Sequence, residues 1–364
     1  MNRFVFGCTL LALSLFFLPL AHSQFPAAPG TGPGLPETID AIDGARVTTR
    51  ILYITAHPDD ESAALLTYLA RGLHADVALL TLTRGEGGQN ALGPEQAPQL
   101  GLIRTQELLA ATRGYGVKLY FTCAKDFGYS KTVAETEKIW GDQVLEDMVR
   151  VIREFRPDLV INGWGGVHGG HGHHQTSGLW TPKAVQLAAD AKAYPDLAKE
   201  ELSPWNIDGE PPVVLDVDRG SDKPQGYVLP LDEVSPLYGK SWRQLGLDAF
   251  VNHHSQGIAG FLGSSFLRRP IALKREDGKD FAPSMLAVPL PELLGKEDGK
   301  VCSAHKDWCE ALKHSDQELS EARAAVLALD FSAATTCWRM CRSGWLACFR
   351  PVRCLQMKKA RPNS

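Results

Sequence analysis

Five consecutive residues, His57-Pro58-Asp59-Asp60-Glu61, carry the densest chemistry in the chain. They follow the run Arg50-Ile51-Leu52-Tyr53-Ile54-Thr55-Ala56. An apolar, β-branched run that stops at a proline reads as a buried strand ending in a tight turn. The turn delivers one imidazole and two adjacent carboxylates to the strand's carboxyl end, the edge where open α/β sheets bind ligands. Imidazole plus carboxylate, with a spare carboxylate beside them, suits a hydrolytic metal site. A second concentration, His168-Gly169-Gly170-His171-Gly172-His173-His174, follows the apolar run Asp158-Leu159-Val160-Ile161-Asn162. Taken alone, this stretch also fits a solvated His-rich loop. If both runs lie in one parallel sheet, both clusters leave the same edge. Nitrogen and oxygen ligands from two strand ends can then share one cation that keeps an open position.

The elements that must position these groups are legible from periodicity. Residues 61–74 place Ala64, Leu65, Tyr68, Leu69 and Leu73 at helical spacing, with Asp59 or Asp60 available as its cap. Residues 76–83 read as a second strand, 84–101 as a glycine-rich loop, and 102–115 as a helix ended by Gly114 and Gly116. Residues 117–122 read as a third strand, 144–155 as an amphipathic helix stopped by Pro157, and 158–162 as a fourth strand. Strands alternating with helices predict an α/β fold, a Rossmann-like and mainly parallel sheet with helices on both faces. Residues 194–234, rich in Pro, Asp and Gly, predict short strands and loops over the site, and 241–257 a further helix. No Gly-x-Gly-x-x-Gly follows the first strand, so the topology carries no dinucleotide signature.

The two histidine-bearing motifs together resemble those of the PIG-L/LmbE-like zinc deacetylases, over residues 50–260. That family removes acetyl groups from N-acetylglucosamine units in small conjugates. The resemblance implies that His57, Asp60 and His174 are zinc ligands, that Asp59 is the general base, and that His171 assists at the oxyanion or leaving group. Many relatives carry Asp where His173 stands, which leaves His173 as an alternative metal-facing imidazole. A His₂Asp set also accommodates iron(II).

Weaker features fit a sugar pocket. Thr83-Arg84-Gly85-Glu86-Gly87-Gly88-Gln89-Asn90 allows close backbone approach and offers Arg84 as a hydroxyl partner. It lacks the lysine and helix start of a phosphate loop. Arg104 either orients substrate or forms an i,i+3 pair with Glu107. Asp126 binds sugar hydroxyls or serves an ordinary turn. His254, in His254-Ser255-Gln256, resembles a late motif near the family's pocket.

The chain's 364 residues, 22% charged and 44% hydrophobic, describe an ordinary globular protein. A formal net charge of -4 lacks the basic footprint of general nucleic-acid binding. Residues 1–23 read as a secretory signal peptide, 24–47 as a Pro/Gly-rich flexible linker, 48–265 as the deacetylase-like domain, 266–331 as an irregular C-terminal extension, and 332–364 as a Cys/Arg-rich, poorly ordered tail. No later stretch is apolar enough to span a bilayer. Of eight cysteines, Cys302 and Cys309 are close enough to pair in an oxidising compartment. The sequence thus predicts an exported, metal-dependent N-deacetylase acting on an N-acetylated amino sugar or glycoconjugate. Its rivals are a zinc amidase for another acyl group and a non-catalytic carbohydrate-binding protein. Oligomeric state is not legible.

Overall fold

The architecture, taken from a computed structural model, is described for residues 34–165, 170–290, 306–330, 332–334 and 336. Strand β1, Arg50–Thr55, is the sheet's centre line, with every residue after Arg50 buried. Such a run is apolar on both faces because helices cover both. Parallel to it on one side runs β2, Asp76–Thr83, and beyond that β3, Lys118–Ala124. On the other side lie β4, Leu159–Asn162, and β5, Val213–Asp218, both parallel. Two short strands, β6 at Tyr227–Val228 and β7 at Ala272–Arg275, complete the order β3-β2-β1-β4-β5-β7-β6, with β7 antiparallel to both neighbours. The strand order reverses between β1 and β4. The crevice outside their carboxyl ends is therefore the topological switch point.

Successive residues of β1 serve opposite faces. Ile51 and Tyr53 pack with Leu65 and Leu69, Leu108 and Ala111, and Ala249 and Phe250. These come from α2 (Ala63–Thr67, continued by a π-helical turn at Tyr68–Gly72), α3 (Gln99–Tyr115) and α6 (Trp242–Phe250). Leu52 and Ile54 pack instead with Met148, Ile152, Ala184 and Val185. Those belong to α4 (Val133–Phe155) and α5 (Gly172–Ala189). Each fully buried aliphatic side chain contributes about 1.5–3 kcal/mol, so the two faces stabilise the sheet comparably. Helix α3 stops at Gly116, whose φ of 84° is the left-handed conformation a glycine adopts without penalty.

Three expectations are corrected. Residues 35–44 of the expected linker form α1, Leu35–Gly44. Its Ile39 and Ile42 bury against Leu319, Ala322 and Val326 of α7, Lys306–Leu327. Ion pairs Arg46–Asp316 at 2.8 Å and Arg323–Asp43 at 2.8 Å flank that contact. The stabilising partner is far away in sequence, which local composition does not reveal. The C-terminal extension is likewise not irregular: α7 is a long helix, and β7 lies inside the sheet, so the core extends past residue 265. Neither Asp59 nor Asp60 caps α2. The N-cap position is Ser62, and both carboxylates are drawn into the crevice. Cys309 is buried and disulfide-bonded, while Cys302, residues 1–33 and residues 337–364 lie outside the described residues.

Candidate metal centre

The turn after β1 folds back on itself. Asp60 Oδ2 accepts the backbone N–H of His57 at 2.8 Å, which brings the carboxylate beside the same residue's imidazole. His57 Nδ1 then lies 3.1 Å from Asp60 Oδ2. The second contribution arrives from the start of α5, where His171 is the N-cap residue and His173 and His174 occupy the first turn. Gly172 is required there, because a Cβ at this position would sit 2.1 Å from Ser130 Oγ. His174 Nε2 reaches 3.0 Å from His57 Nδ1 and 3.3 Å from Asp60 Oδ1. Tetrahedral ligands about 2.0–2.2 Å from an ion are themselves about 3.3–3.6 Å apart. The donor set His57, Asp60 and His174 therefore fits a single divalent cation with one position open.

His174, not His173, faces the Asp60 carboxylate. Consecutive residues on a helix diverge by about 100°, which sends the two rings to different neighbours. Trp164, just after β4, stacks on the His174 ring at 3.7 Å with an interplanar angle of 10°. Its indole N–H also donates to Asp60 Oδ2 at 3.3 Å. Trp164 thus orients two of the three donors, a role the sequence reading missed. His173 is fully buried, stacked on Trp140 at 5.1 Å and edge-on to Phe127 at 4.4 Å. Its Nδ1 lies 3.0 Å from His57 Nε2.

Asp59 stands beside this set with φ of 95°, an unusual backbone for a residue with a side chain. Such a conformation costs about 1–3 kcal/mol and persists only where its surroundings hold it. Glu61 Oε2 accepts the Asp59 backbone N–H at 2.9 Å. Arg104 donates to Asp59 Oδ1 at 2.9 Å, to the Pro58 carbonyl, and to the Gly85 carbonyl at 3.0 Å. Burial pushes the Asp59 carboxyl up to about 6, against the opposing pull of Arg104. Burial would also raise Asp60, but His174 and His57 outweigh it and hold that carboxyl well below its usual range. His171 is brought down to about 4 by burial and by the neighbouring imidazoles of His174 and His57. It is therefore a neutral imidazole near pH 7, not the imidazolium that oxyanion stabilisation by charge would need.

A buried relay lies behind Asp59. Glu61 Oε1 sits 2.7 Å from His253 Nε2 and accepts from Tyr115 Oη at 3.0 Å, and all three side chains are buried. The sequence reading selected His254, which is exposed and does not line the crevice, when its neighbour His253 carries the contact. Within a tight turn one position separates inside from outside. The signal that could have found it was Glu61 itself, a third acid in the first motif that needed a buried partner.

The crevice encloses about 380 Å³ and is lined by the metal-facing residues together with Asp59, Arg104, Asp126, Tyr129, His171 and Gln256. Arg84 is not among its walls. It is exposed, donates to Thr105 Oγ1 at 3.1 Å and lies 4.2 Å from the Phe121 ring. Asp126 does line the crevice, but its Oδ1 accepts the Gly128 N–H at 2.9 Å and its Oδ2 lies 4.0 Å from His57 Nε2. Arg104 and Glu107 do not pair with each other. Glu107 instead accepts the backbone N–H of Ser255 at 2.7 Å and its hydroxyl at 2.6 Å, which moors the loop carrying Gln256. His168 lies outside the described residues.

Residues 52–185 match the family profile described as PIG-L, GlcNAc-PI de-N-acetylase. A 1D-myo-inositol 2-acetamido-2-deoxy-alpha-D-glucopyranoside deacetylase of Geodermatophilus obscurus is 36% identical over 170 residues, 41% of this chain and 56% of that protein. The protein of the same description from Streptomyces scabiei is 32% identical over 201 residues, 49% of this chain and 58% of that protein. The chain thus spans a little over half the length of these curated relatives. Among solved structures, an N,N'-diacetylchitobiose deacetylase from Pyrococcus horikoshii aligns at a TM-score of 0.48 and 18% identity, covering 68% of this chain and 93% of that one. The matched segment runs from β1 into α5 and so contains both histidine-bearing motifs, and it is this part of the chain that is similar to the PIG-L GlcNAc-PI de-N-acetylase family.

Proposed function

We propose that this protein is a metal-dependent N-deacetylase that releases acetate from an N-acetylated amino sugar or a glycoconjugate containing one. The observation that carries the reading is the preassembled set His57, Asp60 and His174, with donor atoms 3.0–3.3 Å apart and the Asp59 carboxylate alongside it. Zinc is the ion best suited to two imidazoles and one carboxylate, and iron(II) fits the same donors. When bound, such an ion polarises the amide carbonyl and lowers the pKa of water toward about 7.

The chain's own residues supply the rest. Asp59 accepts a proton from the attacking water and returns it to the departing amine. Arg104 holds that carboxylate toward the crevice, and Glu61 fixes the peptide that carries it. His171, neutral and at the crevice wall, is suited to donate an N–H hydrogen bond to the developing oxyanion. The volume of the crevice, about 380 Å³, lies in the range of small-molecule sites and so admits a sugar ring. Export is a further part of this proposal and rests on the composition of residues 1–23. No helix among the described residues is long and apolar enough to cross a membrane.

The test combines metal analysis with acetate release from a panel of N-acetylglucosamine conjugates. Asp60→Ala should lose the ion and all turnover. Asp59→Asn should keep the ion and lose about 10²–10⁴-fold in kcat, the usual contribution of a positioned acid–base group. Undiminished turnover in Asp59→Asn, or no acetate from any conjugate with zinc- or iron-loaded wild type, would overturn the assignment.

A further inference from the structure

His57 is the one ring that both donor sets share, and it presents a different nitrogen to each. Nδ1 faces Asp60 and His174. On the opposite edge, Nε2 lies 3.0 Å from His173 Nδ1 and 4.0 Å from Asp126 Oδ2, while His173 Nδ1 and Asp126 Oδ1 are 3.8 Å apart. A nitrogen of His171 falls within 4.8 Å of the His57 and His173 donors. The separations among His57, His173 and Asp126, 3.0–4.0 Å, bracket the spacing of about 3.3–3.6 Å expected around a tetrahedral ion. His173 is fully buried and Asp126 is 4% exposed, so both are held in place by packing. His171 Nδ1 is buried without a hydrogen-bond partner.

We propose that His57 Nε2, His171 and His173, with Asp126 beside them, form a second divalent-cation site that excludes occupancy of the first. The exclusion follows from the chemistry of one imidazole. A neutral ring has a single lone pair, on one nitrogen, and an N–H on the other. With an ion at Nδ1, the Nε2–H is directed at His173 Nδ1, 3.0 Å away. With an ion at Nε2, the Nδ1–H is directed at Asp60 Oδ2, 3.1 Å away. Either arrangement leaves the spare edge hydrogen-bonded, so both are accessible. The second set holds three imidazoles, donors that zinc, nickel(II) and copper(II) all accept, and copper(II) is the tightest-binding of the divalent series, whereas the first contains a carboxylate ligand. Occupancy of the second set takes His57 from the first and engages His171. The site would act as an inhibitory trap for imidazole-binding ions such as copper(II).

This inference concerns binding and is read without any turnover assay, so it stands or falls separately from the deacetylase assignment. The probe is copper(II), or nickel(II), added to the full chain carrying Asp60→Asn and His174→Ala, which removes the carboxylate and one imidazole of the first set and leaves an amide oxygen to accept the His57 N–H bonds. The expected results are one equivalent bound and a copper resonance spectrum with three nitrogen couplings. Adding His173→Asn should weaken binding at least 10-fold. In the wild type, excess nickel should displace zinc one for one. The proposal is overturned if the double variant binds no equivalent, if its copper shows two or fewer nitrogens, or if the wild type holds zinc and nickel together. The nitrogen count is measured on the double variant itself and decides the matter even if the triple variant fails to fold.

Discussion

Replacing His253 by leucine isolates the relay behind Asp59. In the native protein the Glu61 and His253 side chains are both wholly inaccessible, with Oε1 and Nε2 2.7 Å apart. Burial opposes ionisation of each, but each is the other's dominant partner. His253 holds Glu61 below its ordinary 4.5, and Glu61 holds His253 above its ordinary 6.5. Removing the imidazole leaves a buried carboxylate held by Tyr115 and backbone N–H groups, with no charged partner in contact. Breaking such a pair from one side costs about 3–5 kcal/mol. Replacing both partners, as Glu61→Gln with His253→Leu, removes the charge and should cost much less. The double-mutant cycle in urea unfolding measures the difference. The pair should also give the wild type a pH signature relative to the double variant. A raised His253 contributes stability that is fully present below 6.5 and is lost as pH rises through its folded value. A depressed Glu61 contributes stability that is present above 4.5 and is lost as pH falls through its folded value. The advantage of the wild type should therefore be greatest between those limits. Acetate release should fall more than metal content, because Glu61 secures the Asp59 peptide and is not itself a ligand. A cost for His253→Leu below about 1 kcal/mol, the range of an exposed pair, would refute the reasoning.

Three further outcomes follow from the geometry. Trp164→Leu removes the stacking surface of His174 and a donor to Asp60. It should weaken metal binding about 10–100-fold in a chelator competition, as loss of ligand-orienting partners does. Arg84→Ala should leave kcat/KM unchanged and stability within about 0.5 kcal/mol, since Arg84 is exposed and away from the crevice. Leu319→Ala empties the α1–α7 contact, where Leu319 is 1% exposed. It should cost that contact about 2–5 kcal/mol, read as faster amide exchange in α1 and α7, with acetate release per folded molecule preserved.

The central sheet was legible because its strands are buried on both faces and so read as unbroken apolar runs. β1, β2, β3 and β4 fall within two residues of their expected positions. β5 lies in the 194–234 stretch expected to hold short strands, but its bounds and its place in the central sheet were hidden because Asp216 and Asp218 interrupt Val214, Leu215 and Val217 among turn-forming residues. β7 and α1 escaped because their partners are distant: β7 pairs across to β5, and α1 docks on α7. At the site, the contrast is sharpest between adjacent residues. His173 and His174 are chemically the same, as are His253 and His254, yet in each pair the two residues have different roles.

The order of residues alone determined which chemistry was available: imidazoles and carboxylates at two strand ends, with glycine where a helix start must approach a neighbouring loop. That much is local, because side-chain type and backbone period are properties of a short stretch. Which nitrogen faces which oxygen was decided only in the folded molecule. Trp164, Arg104 and Glu61 choose the orientation of His174 and Asp59 through contacts that close across the sheet, and a hydrogen bond's direction depends on where both its partners come to rest.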